Sequence, residues 1–355
     1  MNNYKKVREI IIKLNIDGIL ISNGKNMRYI SGFTGETGYV YISKERHAVI
    51  TDFRYTFQAE KEAKGYEVIT IGDGGYEQAI NDILEADKIN ILGFEAKDML
   101  YDNYMNLKKK LNVEELFAVG DDITRLRRIK TPKELEYIKQ AQAIGDKTFS
   151  EILNFIKPGM TELEIAARIE YLLKTNGAEG LSFDAIVASG INSSMPHAEP
   201  SHKKIEEGDF ITMDFGCVYN GYCSDMTRTI VMGKAGQKQK DIYNTVLEAQ
   251  EAALEHIRPG IAGKEVDKVA RDIINNAGYE GSFGHGLGHS LGLFIHEEPR
   301  LSPSEDELLE VGMVETVEPG MYIRDFGGVR IEDLVVVTED GYENFTSSEK
   351  NLIEL

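Results

Sequence analysis

Lys157-Pro158-Gly159, followed by Glu164, Gly177, Glu179 and Gly180, returns 101 residues later as Arg258-Pro259-Gly260, Glu265, Gly278, Glu280 and Gly281. Between these marks both copies carry apolar residues at helical spacing, Ile165, Leu172 and Leu173 in the first and Val266, Ile273 and Ile274 in the second. A Pro-Gly pair ends helices wherever they occur, but the matched Gly-X-Glu-Gly tail makes a duplicated unit the better account. A helix precedes each copy and strand-rich sequence follows it. The repeat therefore predicts a pseudo-symmetric α+β domain, with a curved antiparallel sheet, helices behind it and a cleft between the halves.

Residues 1–127 lie outside the repeat. Strand-like runs at 18–22, 38–43, 47–51, 66–71 and 89–95 alternate there with helix-like segments, the pattern of a small α/β domain. A chain of 355 residues also exceeds what one core usually organises. The chain turns basic at Thr124-Arg125-Leu126-Arg127-Arg128, and Thr131-Pro132-Lys133-Glu134 then reads as a helix start, with Thr as cap, Pro in the first turn and Glu reaching back. We place the boundary before it, giving domains 1–127 and 128–355.

The formal net charge of −19 repels phosphate backbones and anionic lipid, which argues against nucleic-acid and membrane partners. The first residues mix Lys5, Lys6 and Arg8 with apolar positions and lack the features of an export signal. No run approaches the roughly 20 apolar residues that cross a bilayer. Cys217 and Cys223 flank a tight turn at Asn220-Gly221. Directly paired positions around a two-residue loop sum to an odd number, so these thiols face opposite sides and no disulfide is expected. A cytoplasmic setting follows.

The strands flanking that turn each hold an aspartate, Asp214 and Asp225, and the same parity puts both carboxylates on one face. Their repulsion must be offset by a shared proton, an arginine or a metal ion. Further on, Gly284-His285-Gly286-Leu287-Gly288-His289 through His296 packs three of the seven histidines into a glycine-rich loop entering a strand. A phosphate cradle is the rival, but no Lys-Ser/Thr follows. Glu318 and Glu332 then sit among β-branched residues, where acids need partners. Arg330 shares a face with Glu332 by period two, which predicts an ion pair between them. Glu315 falls on the opposite face from Glu318, away from any site. Cys223 shares the face of Asp225 and is expected to be a packed small residue. Several carboxylates with an imidazole in one cleft suit two divalent ions such as manganese or cobalt better than a single thiolate-loving zinc.

The ordered set Asp214, Asp225, His289, Glu318 and Glu332, within Met-Asp-Phe-Gly, Ser-Asp-Met-Thr-Arg, Gly-His-Ser-Leu-Gly, Val-Glu-Pro-Gly and Arg-Ile-Glu-Asp, resembles the five-ligand signature of the pita-bread metallopeptidases. The amino-terminal stretches Asn26-Met27-Arg28-Tyr29-Ile30-Ser31-Gly32-Phe33-Thr34-Gly35 and Thr51-Asp52-Phe53-Arg54-Tyr55 resemble the creatinase-type domain of the Xaa-Pro aminopeptidase and prolidase branch. The resemblance implies that Asp214 binds one metal, that Asp225 and Glu332 bridge two, and that His289 and Glu318 complete the shell. The ions implied are manganese, with cobalt or zinc as alternatives. Glu318 is implied as proton shuttle, His296 as the group steadying the reacting carbonyl, and His197 as the contact to the scissile amide. His285, Tyr322 and Arg330 occupy substrate-side positions.

The implied reaction is hydrolysis of the bond between an amino-terminal residue and proline by a metal-bridging hydroxide, aminopeptidase P being preferred and a strict Xaa-Pro dipeptidase the alternative. The substrates would be small peptides with proline second. A homodimer is implied too, with the small domain closing the cleft and making dimer contacts. Two rivals share the fold: a non-catalytic binding protein and a creatinase-like amidinohydrolase, neither of which keeps all five ligands.

Overall fold

The computed structural model describes residues 3–355, which divide into two compact units, the first ending at Arg127 and the second running Arg128–Leu355. The first unit is built on a six-stranded mixed sheet of order β4-β3-β2-β1-β5-β6. Its strands are β1 (Gly18–Ile21), β2 (Tyr39–Ser43), β3 (His47–Thr51), β4 (Glu67–Thr70), β5 (Ile91–Glu95) and β6 (Glu115–Val119). The helices are α1 (Tyr4–Leu14), α2 (Gly24–Ser31), α3 (Thr56–Glu62), α4 (Gly75–Asp87), α5 (Tyr101–Lys110) and α6 (Asp122–Arg125). Five strands fall where the sequence pattern puts them. The sixth, β6, is an edge strand whose first four residues are exposed or half-buried, so its short run of apolar residues carries little contrast.

The second unit opens with α7 (Pro132–Ile152) at the expected capping box, in which Glu134 Oε2 accepts from Thr131 N at 2.8 Å and Thr131 Oγ1 from Glu134 N at 3.4 Å. Then come α8 (Glu162–Thr175), β7 (Gly180–Leu181), β8 (Ile186–Ser189), β9 (Phe210–Phe215), β10 (Cys217–Tyr219), β11 (Tyr222–Cys223) and β12 (Met226–Val231). The second half repeats the theme with α9 (Gln237–His256), α10 (Gly263–Ile274), β13 (Gly288–Ser290), β14 (Glu297–Leu301), β15 (Val314–Val317), β16 (Gly320–Ile323), β17 (Gly327–Arg330), β18 (Asp333–Thr338) and β19 (Gly341–Asn344). Each helix pair has its own core. Ile165, Leu172 and Leu173 are buried in one with Val187, Ile211 and Met213, while Val266 and Ile274 are buried in the other with Val317, Val335 and Val337.

The strands of this unit pair antiparallel throughout, but as separate ladders rather than one continuous sheet: β12-β9-β8, β11-β10-β7, β14-β13-β15-β18-β19 and β16-β17. The ladders part where side chains take over backbone groups. Ser224 Oγ accepts from Cys217 N at 3.1 Å, and Ser182 Oγ donates to Ser224 O at 2.9 Å. The turn between β10 and β11 is of the expected kind, with Asn220 at φ 46° and Gly221 at φ 76°. Its register, Val218 with Cys223 and Tyr219 with Tyr222, separates Cys217 from Cys223, and the two residues are buried and not joined in a disulfide.

Candidate metal centre

The register that frees the cysteines also sets the aspartates. Asp214 on β9 pairs directly with Thr227, two residues past Asp225, so the carboxylates lie one diagonal apart on the same face. Glu332 follows β17, and its Oε2 accepts from Thr227 Oγ1 at 2.7 Å. Carboxylate oxygens of Asp214, Asp225 and Glu332 all lie within 4.8 Å of one another. His289 on β13 approaches from the second half, its Nε2 3.6 Å from Asp225 Oδ2 and 3.5 Å from Glu318 Oε1. All five residues line one cavity of about 580 Å³.

Local sequence explains these placements. Gly288 lets β13 press against β15, since a Cβ there would stand 1.9 Å from the carbonyl oxygen of Thr316. That approach brings Thr316 Oγ1 within 3.0 Å of His289 N as acceptor and 3.2 Å of Glu318 Oε1 as donor. Ser290 O lies 3.1 Å from His289 Nδ1, which fixes that nitrogen as the protonated one and leaves Nε2 facing the acids with its lone pair. Behind the acids, the buried Arg228 donates to the carbonyls of Thr227 at 3.0 Å and Glu332 at 2.5 Å and pairs with Asp333 at 2.8 Å.

The cavity concentrates negative charge on buried side chains. Burial first, then the charges of Glu332, Asp214 and Glu318, push the carboxyl of Asp225 well above its usual range. Burial and the charges of Glu318 and Asp214 do the same to Glu332, and burial carries Glu318 up to about 8. Burial lowers His289 to about 3, keeping its imidazole neutral. Asp214 Oδ1 and Glu332 Oε1 are buried with no hydrogen-bond partner among the described residues. Unpartnered carboxylate oxygens converging beside a neutral imidazole fit divalent cations, which would supply the missing contacts.

The residues expected on the substrate side gather at or just behind the same cavity. His285, His296, His197 and Arg330 line it, His197 from an exposed position. Tyr322 stands one step behind, its hydroxyl 2.8 Å from Arg330 Nη1 and 3.0 Å from His285 Nε2. Burial lowers His285 to about 4. The rings of His289 and His296 meet edge to face, with centroids 4.5 Å apart. One expectation is corrected: Arg330 does not pair with Glu332. Its Nη2 reaches Asp214 Oδ2 at 2.6 Å, because the chain leaves β17 at Arg330 and the period-two alternation ends before Glu332.

Sequence reasoning missed Arg300. It is the register partner of His289 across β13 and β14, shares that residue's face and lines the cavity. The signal was present: Arg300 follows His296 by four residues in a strand that alternates in and out. Glu315 stays outside the cavity, as its parity requires.

A two-domain chain with a duplicated second half and an acid-lined cavity of this kind defines the pita-bread class of metal-dependent hydrolases. The comparisons name the family: residues 136–339 match Metallopeptidase family M24 and residues 4–129 match the Creatinase/Prolidase N-terminal domain, and the chain belongs to that metallopeptidase family. It is 42% identical over 351 residues to the Xaa-Pro dipeptidase of Pyrococcus horikoshii, covering 98% of each chain. Among solved structures, the Xaa-Pro dipeptidase from Bacillus anthracis superposes with a TM-score of 0.97 at 44% identity, covering 99% of each chain. The X-Pro aminopeptidase from Thermotoga maritima does so at 0.93 and 37%, again covering 99% of each.

Proposed function

We propose that the chain is an Xaa-Pro peptidase whose preferred substrates are dipeptides ending in proline. What carries the peptidase reading is the convergence of Asp214, Asp225, His289, Glu318 and Glu332 on one cavity, with oxygens of Asp214 and Glu332 left unpartnered. These five would hold two divalent cations, manganese before cobalt or zinc given a donor set of oxygens and one imidazole. Cations there supply Lewis acidity, lowering the pKa of a water and offsetting charge that builds on a carbonyl oxygen.

The protein's own groups do the rest. Glu318 takes the proton of the attacking water as oxygen joins the carbonyl carbon, then passes it to the proline nitrogen as the C–N bond breaks. His296 steadies the carbonyl oxygen and His197 contacts the scissile amide. Proline makes that amide tertiary and removes its N–H, so the cavity recognises the ring and its geometry rather than an amide donor. His285 and Tyr322 brace Arg330 at the substrate side.

Arg300 favours the dipeptide. Its guanidinium lines the cavity and has an exposed ion-pair partner, Glu298, at 3.6 Å, so it is available to a free carboxylate. A longer peptide would bring a neutral amide to the same place. The solved dipeptidase neighbour at 44% identity, against 37% for the aminopeptidase, points the same way. The reading includes a homodimer and a cytoplasmic setting, the latter in keeping with two buried cysteines that form no disulfide. The test is hydrolysis of Ala-Pro, Gly-Pro and Gly-Pro-Ala by manganese-reconstituted protein. Cleavage of the dipeptides with at least about tenfold preference supports the reading, and preference for the tripeptide restores aminopeptidase P.

A further inference from the structure

The segment from Ser189 to Ser201 carries His197 to the cavity mouth, yet His197 itself is exposed and has no hydrogen bond among those described that would fix it. Its placement must come from the rest of the segment. Glu162, the first residue of α8, has no accessible surface, and both its oxygens are spent on that segment. Oε1 accepts from Ser189 N at 2.7 Å, Ser189 Oγ at 2.8 Å and Asn192 Nδ2 at 3.1 Å. Oε2 accepts from Asn192 Nδ2 at 3.2 Å, Ser201 N at 3.1 Å and Ser201 Oγ at 2.6 Å. One carboxylate thus closes both ends of the segment. The start of α8 adds to the clamp, with Glu162 N donating to Lys203 O at 3.1 Å and Leu163 N to Ser201 O at 3.2 Å.

The middle of the segment is held from the cavity side. Ser193 Oγ accepts from Gly328 N at 2.8 Å, and Pro196 O accepts from Arg330 Nη1 at 3.2 Å. Between these anchors and the Glu162 clamp, Pro196 and His197 have little freedom. We infer that Glu162 is a positioning residue for the peptidase reaction, acting through His197 without touching substrate. The inference rests on the peptidase reading above. Charge matters to it: a carboxylate accepts from every donor around it, whereas a glutamine would turn an NH₂ group toward donors on one side.

The experiment compares Glu162→Gln, His197→Ala and the double variant on Ala-Pro, with manganese content measured on each. The expected result is a fall in kcat/KM of about tenfold or more in Glu162→Gln, the range for small misplacements of a reacting group. That fall should lie in kcat, with the manganese content of wild type, and shrink to under about twofold in the His197→Ala background, as coupled sites require. If Glu162→Gln does not fold, Ser189→Ala combined with Ser201→Ala removes donors from the same clamp and is read by the same criteria. Wild-type kcat/KM in the clamp variants, an undiminished fall in the His197→Ala background, or a His197→Ala variant as active as wild type would each overturn the inference. Failure of the wild-type protein to cleave Ala-Pro would instead refute the peptidase reading.

Discussion

Glu315 offers the sharpest test of the physical argument, because the protein stores a cost there that its chemistry does not need. The side chain is fully buried on β15 between Ser290 and Val335, and neither oxygen has a hydrogen-bond partner among the described residues. Burial pushes its carboxyl well above the usual range, opposed by the nearby charge of Lys130. A buried, unsatisfied polar group costs about 1–3 kcal/mol, so Glu315→Leu should stabilise the metal-loaded protein by that order. Lys130 is not orphaned by the change, since Glu297 Oε2 lies 3.5 Å and Ser290 Oγ 3.1 Å from its amine. The effect should also depend on pH. A carboxyl raised in the folded state contributes stability below the ordinary glutamate value and loses it as pH rises toward the raised one, by about 1.4 kcal/mol per unit. The advantage of Glu315→Leu therefore grows with pH, at roughly 2–4 °C in melting temperature for each kcal/mol. Glu315→Gln keeps an unsatisfied group but cannot ionise, so it should show the pH-dependent part alone. Thermal unfolding at pH 5, 6, 7 and 8 decides. An advantage that shrinks or reverses as pH rises would mean that Glu315 is ionised against Lys130, and the reasoning fails.

Asp225→Asn removes one charge from a site built to hold several, and should abolish hydrolysis while the far-ultraviolet dichroism stays that of wild type. Arg300→Ala should lower kcat/KM on Ala-Pro by about tenfold or more and leave Gly-Pro-Ala within about threefold, since only the dipeptide offers the guanidinium a carboxylate. Arg228→Met should cost about 1–3 kcal/mol in urea unfolding, because it leaves Asp333 Oδ1 and the carbonyl of Glu332 without their donor, while Lys350 stays 2.9 Å from Asp333 Oδ2 and keeps its charge compensated. Chelation should make stability more sensitive to pH. With no cation present, Asp225, Glu332 and Glu318 favour protonated forms, so from about pH 5 toward 8 the stripped protein should weaken more steeply than the loaded protein, which keeps only the slope that Glu315 sets.

Period and parity placed Asp214 against Asp225 because an Asn-Gly turn admits one register, and a fixed register propagates along both strands. The duplicated helices were visible for a similar reason, each burying a stripe that the 3.6-residue period exposes. Parity failed at Arg330 and Glu332, where the strand ends between the two residues, and no local pattern announces that break. The clamp at Glu162 was invisible for a different reason. In the sequence it is one acid in the first turn of a helix, where Asp and Glu are ordinary, and its partners lie 27 to 39 positions away.

The failure at Arg330 and Glu332 has a cause that bears on how the centre works. Asp225, Glu318 and Glu332 all sit just outside regular strands, where backbone groups released from the ladders must be satisfied by side chains or neighbouring segments. Arg228 does that work for the carbonyl of Glu332, while the hydroxyls of Thr227 and Thr316 hold the carboxylates of Glu332 and Glu318. Strand breaks let acidic side chains converge from separate ladders, which no single flat sheet would bring to one point, and the supporting hydroxyls and guanidinium keep that convergence from relaxing. Thr316 makes the point most sharply, since one hydroxyl orients both His289, through its backbone N–H, and Glu318, through its carboxylate. Thr316→Val keeps the shape of that side chain and removes both bonds. It should therefore weaken manganese binding by about tenfold or more, as loss of a supporting hydrogen bond does at metal sites, and equilibrium dialysis showing wild-type affinity would refute the assignment of that role.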